Sequence, residues 1–232
     1  MTQMVVSAGL AEVDRRLTRA AERAGRARSA VTLVAVSKAV DTEAVRQARA
    51  AGQSDFGESR AQELRRKAEA IGPGVRWHFI GRIQRNKVRD VVGVAGLIHS
   101  VDRVDVARAV AQRAVADDHV QQVLVQVNAG NDPAKGGCTV DGTADLVAAV
   151  RRLPGIACQG LMTVPPMGVD PRPVFASLRA LRDDLRAQFP EISHLSMGMS
   201  HDFEAAVEEG ATIVRIGEAV FGPRPAPPEP QS

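Results

Sequence analysis

Val31-Thr-Leu-Val-Ala-Val-Ser-Lys38 holds six successive apolar or β-branched residues, Val31 to Val36, closed by Ser37 and Lys38. Such a run predicts a parallel strand buried on both faces. Its terminal lysine is conspicuous, because among 30 basic side chains the only lysines are Lys38, Lys67, Lys87 and Lys135. Lys67 follows Arg65-Arg66 on what reads as a solvated helix face. Lys87 follows Asn86 in a charged segment, and Lys135 falls in the Gly-rich loop 131–137. Lys38 is the one at the carboxyl end of an apolar strand. A desolvated lysine amine sheds its proton and attacks a carbonyl to form a Schiff base, which arginine does not do. The plainer reading is a lysine whose stem lies along the strand end with its ammonium in water.

Outward from this strand the pattern repeats. Upstream, residues 7–26 carry Leu10, Val13, Leu17, Ala20, Ala21 and Ala24 at helical spacing, with Gly25 as a stop. Downstream, Asp41 is placed to cap a helix over 42–51 that ends at Gly52. Further strands are expected at 54–58, 76–80, 97–101, 119–128, 156–163, 194–197 and 212–216. Helices are expected at 59–71, 81–92 (short and polar), 104–116, 143–153, 171–188 and 200–209. Eight strands in strict alternation with helices predict an α/β fold, a single (β/α)8 barrel of the TIM type, over an open sheet. The extra N-terminal helix is expected to fill the gap left after strand eight. Residues 1–222 are read as one domain. Residues 223–232 contain five prolines and are read as an extended or disordered tail.

Composition narrows the function. The net charge is only +3 and aromatic residues make up 3%, without a basic run, so nucleic-acid binding is not indicated. Cys138 and Cys158 form no CxxC and fit reduced cytosolic thiols. His78, His99, His119, His194 and His201 lack metal-ligand spacing. No secretory signal pattern and no apolar run of membrane length appear, so a cytoplasmic protein without membrane contact is expected.

In such barrels the working residues lie at the carboxyl ends of strands. Strand one ends in Lys38, strand two in Phe56-Gly-Glu-Ser59, and strand three is Trp77-His-Phe-Ile-Gly81, followed by Gln84, Asn86 and Lys87. Strands seven and eight end in Ser196-Met-Gly-Met-Ser200 and Arg215-Ile-Gly-Glu218. Barrel phosphate sites commonly follow strands seven and eight. Gly198 and Gly217 let backbone N–H groups approach an anion, and Ser200 opens a helix whose positive end favours one. Each has an ordinary reading too: Ser200 as an N-cap, Gly217 as a tight turn, Arg215 in a structural salt bridge. An anion site opposite a lone amine suggests a ligand with both phosphate and aldehyde, which is pyridoxal 5′-phosphate (PLP).

These motifs, with Gly160-Leu-Met162, Asp202 and Phe221-Gly222, resemble the pyridoxal phosphate homeostasis family (the YggS and PROSC type) over roughly residues 10–222. That family is related to the barrel half of alanine racemase, PLP fold type III. The resemblance implies that Lys38 holds PLP as an internal aldimine. It implies that Ser200 and the backbone near Gly217 and Glu218 hold the phosphate, and that Arg215 faces the pyridine nitrogen. His78 and Met162 are implied as pocket residues. Ser59 stands where the family usually has Asn, which shortens any contact from there. The loop sequence Ala134-Lys-Gly-Gly137 keeps the family lysine but not the preceding serine.

The function so implied is a non-catalytic PLP carrier or buffer in intracellular PLP homeostasis. Its expected partners are PLP and apo PLP-dependent enzymes, and a monomer is expected. The alternative is an amino-acid racemase of the alanine-racemase type. That reaction needs a second acid–base group facing Lys38, a tyrosine of another domain in those enzymes. This chain has no tyrosine, and nothing of domain size is expected after strand eight. An aldolase-like phosphosugar barrel with a Lys38 Schiff base is a third reading.

Overall fold

All eight expected strands form, and they close on themselves. The structure is a computed structural model that describes residues 2–223, with side chains from residue 5. The proline-rich tail expected over 223–232 lies outside the described residues from residue 224 onward. The strands are β1 (Thr32–Val36), β2 (Asp55–Glu58), β3 (Arg76–Phe79), β4 (Leu97–Val101), β5 (Gln121–Gln126), β6 (Ile156–Met162), β7 (His194–Ser196) and β8 (Ile213–Ile216). Each pairs in parallel with its neighbour, and β8 returns to β1 in the register Val34↔Arg215 and Ala35↔Ile216. The helices are α1 (Thr2–Arg23), α2 (Thr42–Ala50), α3 (Ala61–Ile71), α4 (Val104–Ala116), α5 (Thr143–Arg151), α6 (Arg172–Gln188), α7 (Phe203–Glu208) and α8 (Glu218–Phe221).

Local signals explain most boundaries. The Asp41 side chain accepts a hydrogen bond from Ala44 N at 2.7 Å and caps α2, as its position predicts. The polar helix expected over 81–92 is instead a 3-10 segment, Arg85–Asp90. Its bonds close three residues apart, as in Lys87 N to Gln84 O. Ile83, Val88, Val91 and Val92 are all buried along this stretch. Helix α1 starts five residues earlier than expected. It packs against α2, α7 and α8, so it fills the place in the outer ring that the four-residue α8 is too short to occupy.

Alternation along each strand decides what faces where. Leu33 and Ala35 belong to the large apolar cluster between sheet and helices. Val34 belongs to a second cluster with Leu97, Leu124, Met162 and Ile213. Those five residues come from β1, β4, β5, β6 and β8, which meet only inside the barrel. By the same parity Asp55, His78, His99, Ser196 and Arg215 face inward.

Parity also corrects the reading of Lys67. It lies not on a solvated helix face but fully buried, on the outer side of the barrel wall. Its ammonium donates to Glu58 Oε1 and to the Ser37 carbonyl, both at 2.7 Å, and Ser37 Oγ donates to the same Glu58 oxygen at 2.7 Å. The ion pair thus ties α3 to the ends of β1 and β2. The other carboxylate oxygen, Glu58 Oε2, has no hydrogen-bond partner among the described residues. Removing one partner of a buried pair leaves an uncompensated charge and costs about 3–5 kcal/mol. Lys67→Met is therefore expected to lower unfolding stability by about that amount. Adding Glu58→Gln should restore a large part of it, as read from urea melts of the two variants.

Candidate functional site

Strand β1 stops at Val36, and the chain turns at once. Val40 N bonds back to Ser37 O at 3.0 Å, so Lys38 and Ala39 are the central residues of a tight turn at the carboxyl end of the barrel. Ala39 has φ 62°, a left-handed conformation that normally selects glycine at this turn position. Lys38 is half-buried and continues the inward parity of Val34 and Val36.

Arg215 lies in the adjacent strand, opposite Val34, and is 4% exposed. The structural salt bridge considered for it does not form with any described carboxylate. Nη1 donates to Ser196 Oγ at 2.7 Å and Nη2 to the Thr163 carbonyl at 2.9 Å. Both acceptors are uncharged. Burial pulls its pKa down to about 10, and the charge of Asp202 counters only part of that. It remains a cation at neutral pH.

Behind Ser196 a polar row crosses the barrel. Ser196 Oγ lies 2.8 Å from His99 Nδ1, His99 Nε2 lies 2.9 Å from His78 Nδ1, and His78 Nε2 lies 3.0 Å from Asp55 Oδ1. Asp55 begins β2, at the opposite end of the barrel, where Arg76 approaches it at 3.3 Å. His78 is thus engaged with a histidine and a carboxylate, and Met162 is buried in the interior apolar cluster. Asp55, His99, Ser196 and Thr163 were not singled out from the sequence for this role. The signal that could have found them is a polar residue at an inward position of an otherwise apolar strand.

The mouth of the barrel beyond β7 and β8 is built from two loops. Ser200 does not cap α7. Asp202 holds the N-cap position, without a side-chain cap bond, and its Oδ1 turns back to accept from Met199 N at 2.5 Å in the preceding loop. Ser200 Oγ instead accepts from the Ala219 backbone N–H, at 3.3 Å, in the first turn of α8. A Cβ at Gly217 would stand 3.1 Å from Val36 O, and one at Gly198, with φ 92°, only 2.6 Å from Ala206 Cβ. Glycine at these points lets the β7 and β8 loops close onto β1 and α7. Glu218 is exposed, 3.7 Å from His201. Ser59 lies against Gly81, whose Cβ position would strike Ser59 O. Lys135 sits after β5 in a loop that returns to the strand through Asn128 N to Cys138 O.

Electrostatics along the row is lopsided. Burial drives the His99 pKa well below the usual histidine value, helped by the charges of His78, Arg215 and His194. His194 is lowered too, mainly by burial. For Asp55, burial opposes ionisation. Hydrogen bonds from His78 and Ser54, and the charges of His78 and Arg76, outweigh it and leave the pKa lowered. A histidine kept neutral in the fold but free to protonate when unfolded destabilises the native state as pH falls below about 6.5. Each such group adds a slope of up to about 1.4 kcal/mol per pH unit. Stability is thus expected to decline from about pH 7 to pH 5. Denaturant melts of His99→Phe should show a shallower decline, whereas Asp55 acts only below about pH 4.

The sequence profile described as "Alanine racemase, N-terminal domain" matches residues 10–225. The "Pyridoxal phosphate homeostasis protein" of Aquifex aeolicus is 44% identical over 220 residues, covering 93% of this chain and 96% of that one. The protein of the same name from Pseudomonas aeruginosa is 40% identical, with 94% and 96% covered. Among solved structures, PipY of Synechococcus elongatus with PLP bound superposes with a TM-score of 0.82 at 32% identity, covering 94% of this chain and all of that one. Alanine racemase of Corynebacterium glutamicum shares the fold, with a TM-score of 0.74 at 17% identity, and 61% of its length is covered. With two close relatives of one name matched along nearly their whole length, this chain belongs to the pyridoxal phosphate homeostasis protein family, a branch of the alanine racemase N-terminal barrel.

Proposed function

We propose that the protein binds PLP as a Schiff base on Lys38 and serves as a non-catalytic carrier or buffer of it in the cytoplasm. The observation that carries this reading is the juxtaposition at one barrel end. A half-buried lysine closes β1, and the adjacent strand presents a buried cation held only by uncharged acceptors. The residues fit the cofactor. Ser200 and the first-turn amides of α8 suit a phosphate, since an anionic oxygen takes the N–H that the Ser200 hydroxyl now accepts. PLP supplies an electrophilic carbonyl carbon and, when its ring nitrogen is protonated, an electron sink. Lys38 would hold the cofactor covalently through its amine, and that carbonyl is the chemistry the group would supply to it. Arg215 has donors and no acceptor, so beside the ring nitrogen it keeps that nitrogen unprotonated.

This arrangement favours holding over turnover. Racemisation needs acid–base groups on opposite faces of the substrate carbon, each supplying about 10²–10⁴-fold. Lys38 serves one face. The sequence has no tyrosine for the other, and His78 is bonded at both ring nitrogens inside the barrel. The partners we infer are PLP and the apo-enzymes that receive it, with the carrier acting as a monomer.

Borohydride reduction of PLP-loaded protein, followed by peptide mass mapping, is expected to place the pyridoxyl label on Lys38 and to find none there in Lys38→Ala. A dominant label on another lysine contradicts the assignment. Ser200→Ala removes a hydrogen bond to a charged acceptor, worth about 1.5–3 kcal/mol, and should weaken PLP retention roughly ten- to a hundredfold. Loaded protein incubated with L- or D-alanine in deuterated water should keep the optical purity of the amino acid; rapid α-exchange with racemisation would favour the enzyme reading.

A further inference from the structure

The interior of a TIM-type barrel is ordinarily filled by branched apolar side chains. Here Asp55, His78, His99, Ser196 and Arg215 run through it in one hydrogen-bonded row. Buried polar groups at this density persist only when every member is satisfied. Of these five, the PLP-binding reading uses Arg215 and places His78 in the pocket, and it leaves Asp55, His99 and Ser196 without a task.

Both ends of the row constrain its protons. An ionised Asp55 only accepts, so His78 Nε2 carries a proton and donates it. Arg215 only donates, so Ser196 Oγ accepts from it. With both rings neutral, one assignment satisfies all the links. Ser196 donates to His99 Nδ1, His99 Nε2–H donates to His78 Nδ1, and His78 Nε2–H donates to Asp55. Every donor then points away from Arg215. The two contacts of Arg215, on Nη1 and Nη2, fix the plane of its guanidinium and leave its remaining N–H groups for another acceptor.

We propose that Ser196, His99, His78 and Asp55 are positioning residues for Arg215. They hold its guanidinium in one orientation from inside the barrel, so that a carboxylate at the amino-terminal end governs how the cation meets the cofactor ring at the carboxyl end. The inference rests on the PLP-binding reading for its last step only. The other charged and titratable groups around the row are Arg76 on β3, at 3.3 Å from Asp55, His194 on β7, and Asp202 beyond Arg215. None of them interrupts its hydrogen bonds. Asp55 is the informative position, because it reaches Arg215 only through the three residues between them.

The test uses the full-length protein in two readouts. In the protein without added PLP, nitrogen–proton correlation spectra should show His78 and His99 as slowly exchanging Nε2–H tautomers. An Nδ1–H tautomer or fast exchange at either ring overturns the row itself, whether or not PLP binds. With PLP added, the absorbance spectrum and its pH titration are compared among wild type, Asp55→Leu, Asp55→Asn and Ser196→Ala. Asp55→Leu and Ser196→Ala should shift the titration midpoint and weaken retention about tenfold, the size expected for one lost buried hydrogen bond. Asp55→Asn keeps an acceptor for His78 and should stay near wild type. Equal behaviour of Asp55→Leu and Asp55→Asn, or no spectral shift in Ser196→Ala, overturns the positioning role. A wild-type protein that develops no PLP chromophore overturns the binding reading instead, and is told apart by the tautomer spectra.

Discussion

A guanidinium buried inside a barrel is the constraint on which much else turns. An unpaired buried charge is costly, and apolar walls give no return for it. Arg215 meets that cost with a hydroxyl and a carbonyl and without an ion pair to any described carboxylate. The charge of Asp202 offsets part of the burial, and a hydrogen-bonded row of side chains leads from Ser196 through the interior to Asp55, at the far end of the barrel. The interior therefore cannot be packed with branched apolar residues throughout. Only five fully apolar buried side chains form the cluster there among the described residues, and the row takes the remaining space.

The wall of the barrel sorts two lysines that look alike in composition. Lys38 lies on the inward parity and ends half-buried at the mouth. Lys67 lies outside the wall, locked to Glu58 and the Ser37 carbonyl. The Lys67 ammonium is taken up by the wall itself and does not face the barrel interior, so burial alone does not bring a lysine to the site. The side of the wall decides it.

The architecture was legible in the sequence because period-two strands and period-3.6 helices alternate without interruption, so that even the role of α1 followed from counting. The strand-end residues were legible for a related reason: barrel topology brings the carboxyl ends together wherever they fall in the sequence. What was not legible depended on pairing across the barrel. Lys67 follows two arginines on a helix, and nothing local says that Glu58, nine residues earlier, lies beneath it. His99 and Asp55 sit in different strands from Arg215, and a distance of 2.8 or 2.9 Å between side chains is a property of strand register, not of local pattern. The N-cap reading of Ser200 failed differently: α7 begins only at Phe203, which puts Asp202 at the cap position and leaves the Ser200 hydroxyl to accept from Ala219 N across the loop.

The inner and outer arrangements meet at one turn. Ala39 holds a left-handed backbone directly after Lys38, which costs an L-residue roughly 1–2 kcal/mol. Such strain persists only where the surroundings over-determine it. Ser37 is the residue through which they do. Its carbonyl accepts from Val40 N inside the turn and from the Lys67 ammonium outside the wall, while its hydroxyl is taken by Glu58. Three bonds on the residue before Lys38 fix where the strand ends and the turn begins. The ion pair on the outer face thus fixes the backbone from which the Lys38 side chain springs, as the polar row braces the cation on the adjacent strand. Two buried polar arrangements, one on each side of the wall, fix the turn that carries Lys38 and the guanidinium of Arg215, and side chains set in place before a ligand arrives save the cost of ordering them on binding.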